Sequence, residues 1–64
     1  MDEKTFLEQV EVWLKEYPDL SDQIEKYVLL AYDEIESGQS SYHEFELAYT
    51  DIKDLINDSS IHIK

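Results

Sequence analysis

Apolar residues recur along the chain at spacings that predict three amphipathic helices. In the first segment they are separated by steps of four, three, one and three residues, which is the stripe of one helical face: Phe6, Val10, Trp13, Leu14 and Tyr17. Pro18 disfavours helical backbone at the residue before it, so we expect the first helix to span about 3–17. Gly38 suits the position just beyond a helix end and limits a second helix to about 20–37.

The second predicted helix contains the longest apolar run of the chain, from Tyr27 to Tyr32. Its main apolar face is formed at helical spacing by Ile24, Tyr27, Val28, Ala31 and Ile35. Leu29, Leu30 and Tyr32 lie off that face, so the helix is apolar around much more than half of its circumference. Such a helix is usually covered on two sides, and we therefore expect it at the centre of the fold.

The third predicted helix spans about 42–57. Its apolar positions run at helical spacing from Phe45 to Ile56, and Ser41 with Glu44 matches a capping box. Connections of about four residues force neighbouring helices to pack antiparallel or at a steep angle. The predicted fold class is all-α, a small three-helix bundle forming a single domain over residues 1–64. The closing sequence SSIHIK alternates polar and apolar residues, which predicts a short extended C-terminal tail.

The net charge of the chain indicates that this bundle is an acidic binding protein. Sixteen Asp and Glu stand against five Lys or Arg, a formal net charge of −11. This makes direct binding to nucleic acid or to an anionic membrane unfavourable, so we expect a basic protein partner. A hydrophobic content of 42% is too high for a disordered acidic tail, and the absence of cysteine excludes disulfides and thiolate metal sites.

The location predicted from the sequence is the cytoplasm. The longest apolar run has six residues, against the roughly 20 needed to span a bilayer. The N-terminal sequence MDEKTF is acidic from its second residue and lacks the charged-then-apolar pattern of a secretory signal.

The stretch DEIESGQSSYHE, from Asp33 to Glu44, partly matches a calcium loop. Like that loop, it begins with Asp, has Gly at its sixth place and ends with Glu. Its third place is Ile35, which offers no oxygen ligand and which helical spacing assigns to the core face of the second helix. A degenerate calcium-binding helix-loop-helix therefore stays an alternative, and we expect no metal and no other cofactor.

Acidic residues crowd the predicted end of the second helix. Asp33, Glu34 and Glu36 lie where the helix dipole makes each negative charge unfavourable by a few tenths to about 1 kcal/mol. The turn at Gly38 brings the start of the third helix beside them, and no Lys or Arg occurs between positions 26 and 53. Positions that violate local design rules are where function is expected.

Two tyrosines near this cluster complete a predicted partner-binding patch. A tyrosine ring supplies contact area and can take a cation on its face, so it is a suitable anchor for a basic partner. The predicted patch consists of seven residues: Tyr32, Asp33, Glu34, Glu36, Tyr42, Glu44 and Glu46. The alternative is a solvated acidic face that only keeps a small protein soluble.

Catalysis has little support in the sequence. His43 and His62 are the only histidines, no Ser-His-Asp or Cys-His set can be assembled, and there is no glycine-rich phosphate loop. We therefore expect a protein that is not an enzyme.

The function class predicted from size and charge is binding to another macromolecule. The expected target is a basic surface, such as the nucleic-acid groove of an enzyme or regulator. By analogy of size and charge, chains of this kind are typical of bacterial or phage-encoded inhibitors, antitoxins and immunity proteins. A compact domain of this length has a diameter of roughly 28 Å. If all eleven net charges faced one way, they would lie about 2.5 Å apart, against one charge per about 1.7 Å along the axis of duplex DNA. Mimicry of a short nucleic-acid stretch is one hypothesis. A self-associating helical unit, forming a homodimer, is the structural alternative.

Overall fold

The computed structural model describes residues 1–62 and confirms the all-α prediction. Helix α1 spans Glu3–Glu16, a short 3-10 turn spans Pro18–Leu20, α2 spans Ser21–Glu36 and α3 spans Ser41–His62. None of the helices in this part of the chain combines the length and the apolar character needed to cross a bilayer.

The three helices form a bundle in which α1 and α3 run parallel and α2 runs antiparallel to both. Phe6 stacks on Phe45 with ring centroids 5.0 Å apart, and further along both helices Trp13 lies 5.2 Å from Tyr49. Tyr32, near the end of α2, reaches the beginning of α1. The short connections therefore fold the chain back on itself twice, as predicted.

The centre of the bundle is α3 and not α2, so the expectation of a central second helix is wrong. The buried apolar side chains of the described residues are Phe6, Val10, Trp13, Ile24, Ala31, Phe45, Ala48, Ile52 and Ile56, and four of these nine belong to α3. Only Ile24 and Ala31 belong to α2, whereas Leu29 and Leu30 are 68% and 50% exposed. A three-helix bundle has no further layer that could cover the second apolar side of α2.

The end of α2 is fixed by Gly38, as the sequence predicted. Gly38 has φ +113°, its N–H donates to the carbonyl of Ile35, and the N–H of Gln39 donates to the carbonyl of Glu34. These two hydrogen bonds form a Schellman motif, which requires a residue with positive φ at this position. No atom lies within 4 Å of the position a Cβ would take, so glycine is favoured here by its backbone freedom and not by space.

The capping box predicted at the start of α3 is not the one the structure uses. The helix begins one residue earlier than expected, and the hydroxyl of Ser40 accepts a hydrogen bond of 3.5 Å from the N–H of His43. Ser41 is therefore already inside the helix, and Glu44 is released from the capping role and lies half-buried on its side.

The predicted extended tail, SSIHIK, is also wrong over residues 59–62, because α3 continues through His62. The segment after the predicted end contains neither Gly nor Pro, so nothing in it stops a helix that is already propagating. The 22 residues of α3 correspond to about 33 Å, against about 21 Å for the 14 of α1. The long axis of the molecule is accordingly 41 Å, with 18 Å and 17 Å across. The last two positions of the predicted tail lie outside the described residues.

Candidate interaction groove between α2 and α3

The structure distributes the seven residues of the predicted patch over different sides of the bundle. Tyr32 lies on the side of α2 that faces α1, where its ring packs edge-on against Phe45 with centroids 5.5 Å apart. Its hydroxyl donates a hydrogen bond of 2.7 Å to Oε2 of Glu3. Tyr32 is thus already engaged within the molecule, as a link between the end of α2 and the start of α1.

Burial of the ring and the hydrogen bond to Glu3 raise the pKa of Tyr32 to about 12. The largest cause is burial, which disfavours the phenolate; the hydrogen bond and the negative charge of Glu3 act in the same direction. The phenol is therefore held protonated as the donor of this contact.

Tyr42 and Glu46 also lie towards α1. They are one turn apart on α3, and Oε1 of Glu46 lies 3.9 Å from the α-ammonium group of Met1. The Tyr42 side chain is 63% exposed. Tyr42 and Glu46 thus lie on a different side of α3 from Glu44.

Asp33 and Glu36 are exposed near the end of α2. Neither side chain takes part in the hydrogen bond between Tyr32 and Glu3 or in the contact between Glu46 and the α-ammonium group. The carbonyl of Asp33 accepts hydrogen bonds from the N–H and the hydroxyl of Ser37, so its backbone is occupied in ending the helix. Successive helical residues are rotated by about 100°, which directs Asp33 away from the bundle and Glu36 towards the α1 side.

Glu34 and Glu44 are the two predicted residues that the structure brings together in one concavity. They line a groove of about 140 Å³ between α2 and α3, and Asp51 lies along the same groove. Its floor is formed by the buried side chains of Ala31 and Ala48.

Two partly exposed leucines form the apolar walls of this groove. Leu30 on α2 is 50% exposed and Leu47 on α3 is 45% exposed, and both line the same concavity as Glu34 and Glu44. Buried alanines beneath exposed leucines mean that the backbones of α2 and α3 approach closely here, while the larger side chains stand at the edges. The result is a shallow apolar trough with carboxylates along its rim.

The groove continues along α3 towards the other end of the bundle. Tyr27 and Asp51 also line the next concavity, together with Asp54 and Leu55. No lysine is among the residues that line these two concavities, within the part of the chain that the structure describes. We call the surface formed by Leu30, Glu34, Glu44, Leu47, Asp51 and Asp54 the α2–α3 groove.

The twelve-residue loop that the calcium-binding alternative requires is not present between α2 and α3. Asp33 and Ile35 lie in α2 and Glu44 lies in α3, so the stretch between the helices has four residues instead of twelve. Ile35 packs against the hydrophobic core, as its helical spacing predicted. Among the described residues, no group of three or more acidic or histidine side chains is arranged to hold a metal ion.

Sequence reasoning missed Leu30, Leu47, Asp51 and Asp54 as members of one surface. The available signal was that the leucines lie outside the core stripes of α2 and α3. Pairing them needs the rotation of one helix relative to the other, which spacing within a single helix does not supply.

No protein-family model, curated protein or solved structure matches this chain. Its function is therefore inferred from the residues and their arrangement.

Proposed function

We propose that this chain is a small acidic binding protein that docks on a basic surface of another protein, acting in the cytoplasm as an inhibitor, antitoxin or regulator and not as an enzyme. The observation that carries the proposal is the α2–α3 groove. Its lining, as far as the described residues form it, combines exposed leucines with carboxylates and contains no lysine.

The two kinds of side chain in the groove have complementary roles in binding. Leu30 and Leu47 offer apolar area that a partner can bury, at roughly 25 cal/mol per Å². The carboxylates of Glu34, Glu44 and Asp51 favour a cationic partner, raise its rate of encounter and exclude anionic surfaces. Each group alone is common on protein surfaces, but their combination in one concavity favours a partner that is both apolar and basic.

The shape of the molecule argues against mimicry of a long nucleic-acid segment and favours a partner whose basic surface is contacted over a short length. The bundle is elongated, and eleven net charges along its 41 Å axis give about one charge per 3.7 Å. This is about half the linear charge density of duplex DNA, which carries one charge per about 1.7 Å. Partners with a nucleic-acid site remain within the proposal where the contact is short.

Capture from the source cells with matched charge variants tests this function. The test variant neutralises the groove with Glu34→Gln, Glu44→Gln and Asp51→Asn, and the control makes the same change in charge outside it with Glu11→Gln, Glu16→Gln and Asp19→Asn. We expect proteins of high isoelectric point to be retained by the wild type and by the control, and to be lost from the groove variant. Their retention should fall steeply with salt, because screening shortens to about 8 Å at physiological ionic strength.

Two results would contradict the proposal. One is that the groove variant and the control retain the same proteins in the same amounts. The other is that the proteins lost from the groove variant are acidic or bind equally at low and high salt.

A further inference from the structure

The antiparallel pair of α2 and α3 has a groove on each side, and only one of them is filled. The α1 helix occupies the first with Phe6, Val10 and Trp13, all buried. The opposite groove is formed by the same two helices and has a floor of small apolar residues, but no part of the described chain lies in it. A further helix packed on this side of the pair would complete a four-helix arrangement.

We infer that the α2–α3 groove accepts a basic amphipathic α-helix of the partner protein, which takes the place of a fourth helix. This inference rests on the proposed function and specifies the partner's chemistry. The close approach of α2 and α3 over Ala31 and Ala48 leaves a trough into which the side-chain ridge of another helix can pack, as ridges of one helix pack into grooves of another.

The length of the groove sets the length of the bound segment. From Glu44 to Asp54 along α3 is ten residues, which corresponds to about 15 Å, or three helical turns. The matching segment needs apolar side chains at i, i+3, i+4 and i+7 to meet Leu30 and Leu47.

The carboxylates determine where the partner's charges lie. Glu34 is on the α2 edge of the groove, whereas Glu44 and Asp51 are on the α3 edge. Lys or Arg is therefore expected on both flanks of the apolar stripe. A second copy of this chain does not fit this requirement, because with a net charge of −11 it would bring further carboxylates against the rim.

Synthetic peptides of lysine and leucine test the inference on the full chain. The helical probe has leucines at i, i+3, i+4 and i+7 through about 14 residues; a second has the same composition with leucines dispersed around the helix; a third replaces each Lys of the first by Glu. Binding is measured by fluorescence anisotropy of the labelled peptide. We expect the helical lysine probe to bind at least tenfold more tightly than the dispersed one, and the glutamate probe not to bind.

Exposed leucines inside and outside the groove provide matched variants of the protein. Leu30→Ser and Leu47→Ser should each weaken the helical probe by about tenfold, whereas Leu29→Ser, which changes an exposed side chain outside the groove, should leave its affinity unchanged. All three positions are partly or largely exposed, and circular dichroism verifies that each variant is folded.

The outcomes separate this inference from the proposed function. If the two lysine peptides bind equally and the charge-neutralised groove variant weakens both, the basic-surface proposal stands and the helical inference is overturned. If neither lysine peptide binds better than the glutamate peptide, both are overturned. If sedimentation shows a dimer that Leu30→Ser dissociates, a second copy fills the groove and the inference is wrong.

Discussion

The two grooves of the α2–α3 pair show how the same two helices produce a core on one side and a surface on the other. On the α1 side, aromatic rings meet across the interface, with Phe6 on Phe45 and Trp13 on Tyr49. On the open side the helices approach over alanines, and the larger side chains are leucines at the edges with carboxylates beyond them. Apolar residues occur on both sides, so what distinguishes core from surface here is the size of the central residues and the charge of the rim.

The largest expected effect comes from removing a side chain of the filled groove. Phe6 is 0% exposed and stacks on Phe45, so Phe6→Ala should lower the free energy of unfolding by about 3–5 kcal/mol. Leu47→Ala, in the open groove, should cost about 1 kcal/mol or less, because the leucine is 45% exposed. Urea denaturation followed by circular dichroism measures the loss for Leu47→Ala, and the helical signal of Phe6→Ala without urea shows how much of that variant still folds.

A small domain has few kcal/mol to lose, so Phe6→Ala is expected to be largely unfolded at room temperature. If Leu47→Ala destabilises the chain as much as Phe6→Ala does, the proposed difference between the filled groove and the open groove is wrong. That result would mean that the open side already contributes to the core.

A smaller effect is expected from Tyr32, which ties the end of α2 to α1. Tyr32→Phe removes the hydrogen bond to Glu3 and should lower the free energy of unfolding by about 1 kcal/mol at neutral pH. The pKa of Tyr32 is raised from 10.0 to about 12 in the folded state, so the folded protein retains this proton more tightly than the unfolded chain does. The contribution is complete below pH 10 and is lost as the pH rises from 10 to 12.

Wild type should therefore lose its advantage over Tyr32→Phe across that interval and become the less stable of the two near pH 12, as measured by urea denaturation at successive pH values. Tyr42→Phe is the matched control, since the Tyr42 side chain is 63% exposed, and it should follow the wild type. A constant difference between wild type and Tyr32→Phe from pH 8 to 12 would mean that the folded protein does not hold the phenol proton more tightly than the unfolded chain.

The elements that the sequence predicted correctly are those determined within one helix. Apolar spacing predicts all three helices, Gly38 predicts the end of α2, and the spacing of Ile35 predicts its contact with the core. Such features depend on neighbours three or four residues away, which the sequence shows directly.

The features that were missed depend on contacts between helices. The apolar run of α2 suggested a central helix because spacing does not show how many neighbours a helix has; with two neighbours, Leu29 and Leu30 remain exposed. The predicted patch was assembled from closeness in sequence, and the rotation of the helices placed Tyr32 on the α1 side and Glu34 in the open groove. The tail was misjudged because a polar segment without Gly or Pro can continue a helix.

The smallest expected effect separates a functional carboxylate from an ordinary one. Glu34 and Glu36 both lie in the last turn of α2, where the helix dipole disfavours negative charge, but only Glu34 shares a concavity with Glu44 and Asp51. Glu36→Gln should raise the free energy of unfolding by a few tenths of a kcal/mol, and Glu34→Gln should raise it by a few tenths more, because it also relieves repulsion between carboxylates across the groove.

This difference between the two variants should disappear in 1 M salt, where the screening length is about 3 Å. If Glu34→Gln is instead neutral or destabilising at low salt, the carboxylates of the groove do not repel one another, and a main argument for a cationic occupant is lost. If it is the more stabilising change and also weakens the lysine probe, the chain retains Glu34 at a cost in stability. A residue that opposes folding and supports binding is what selection for a partner leaves in a protein this small.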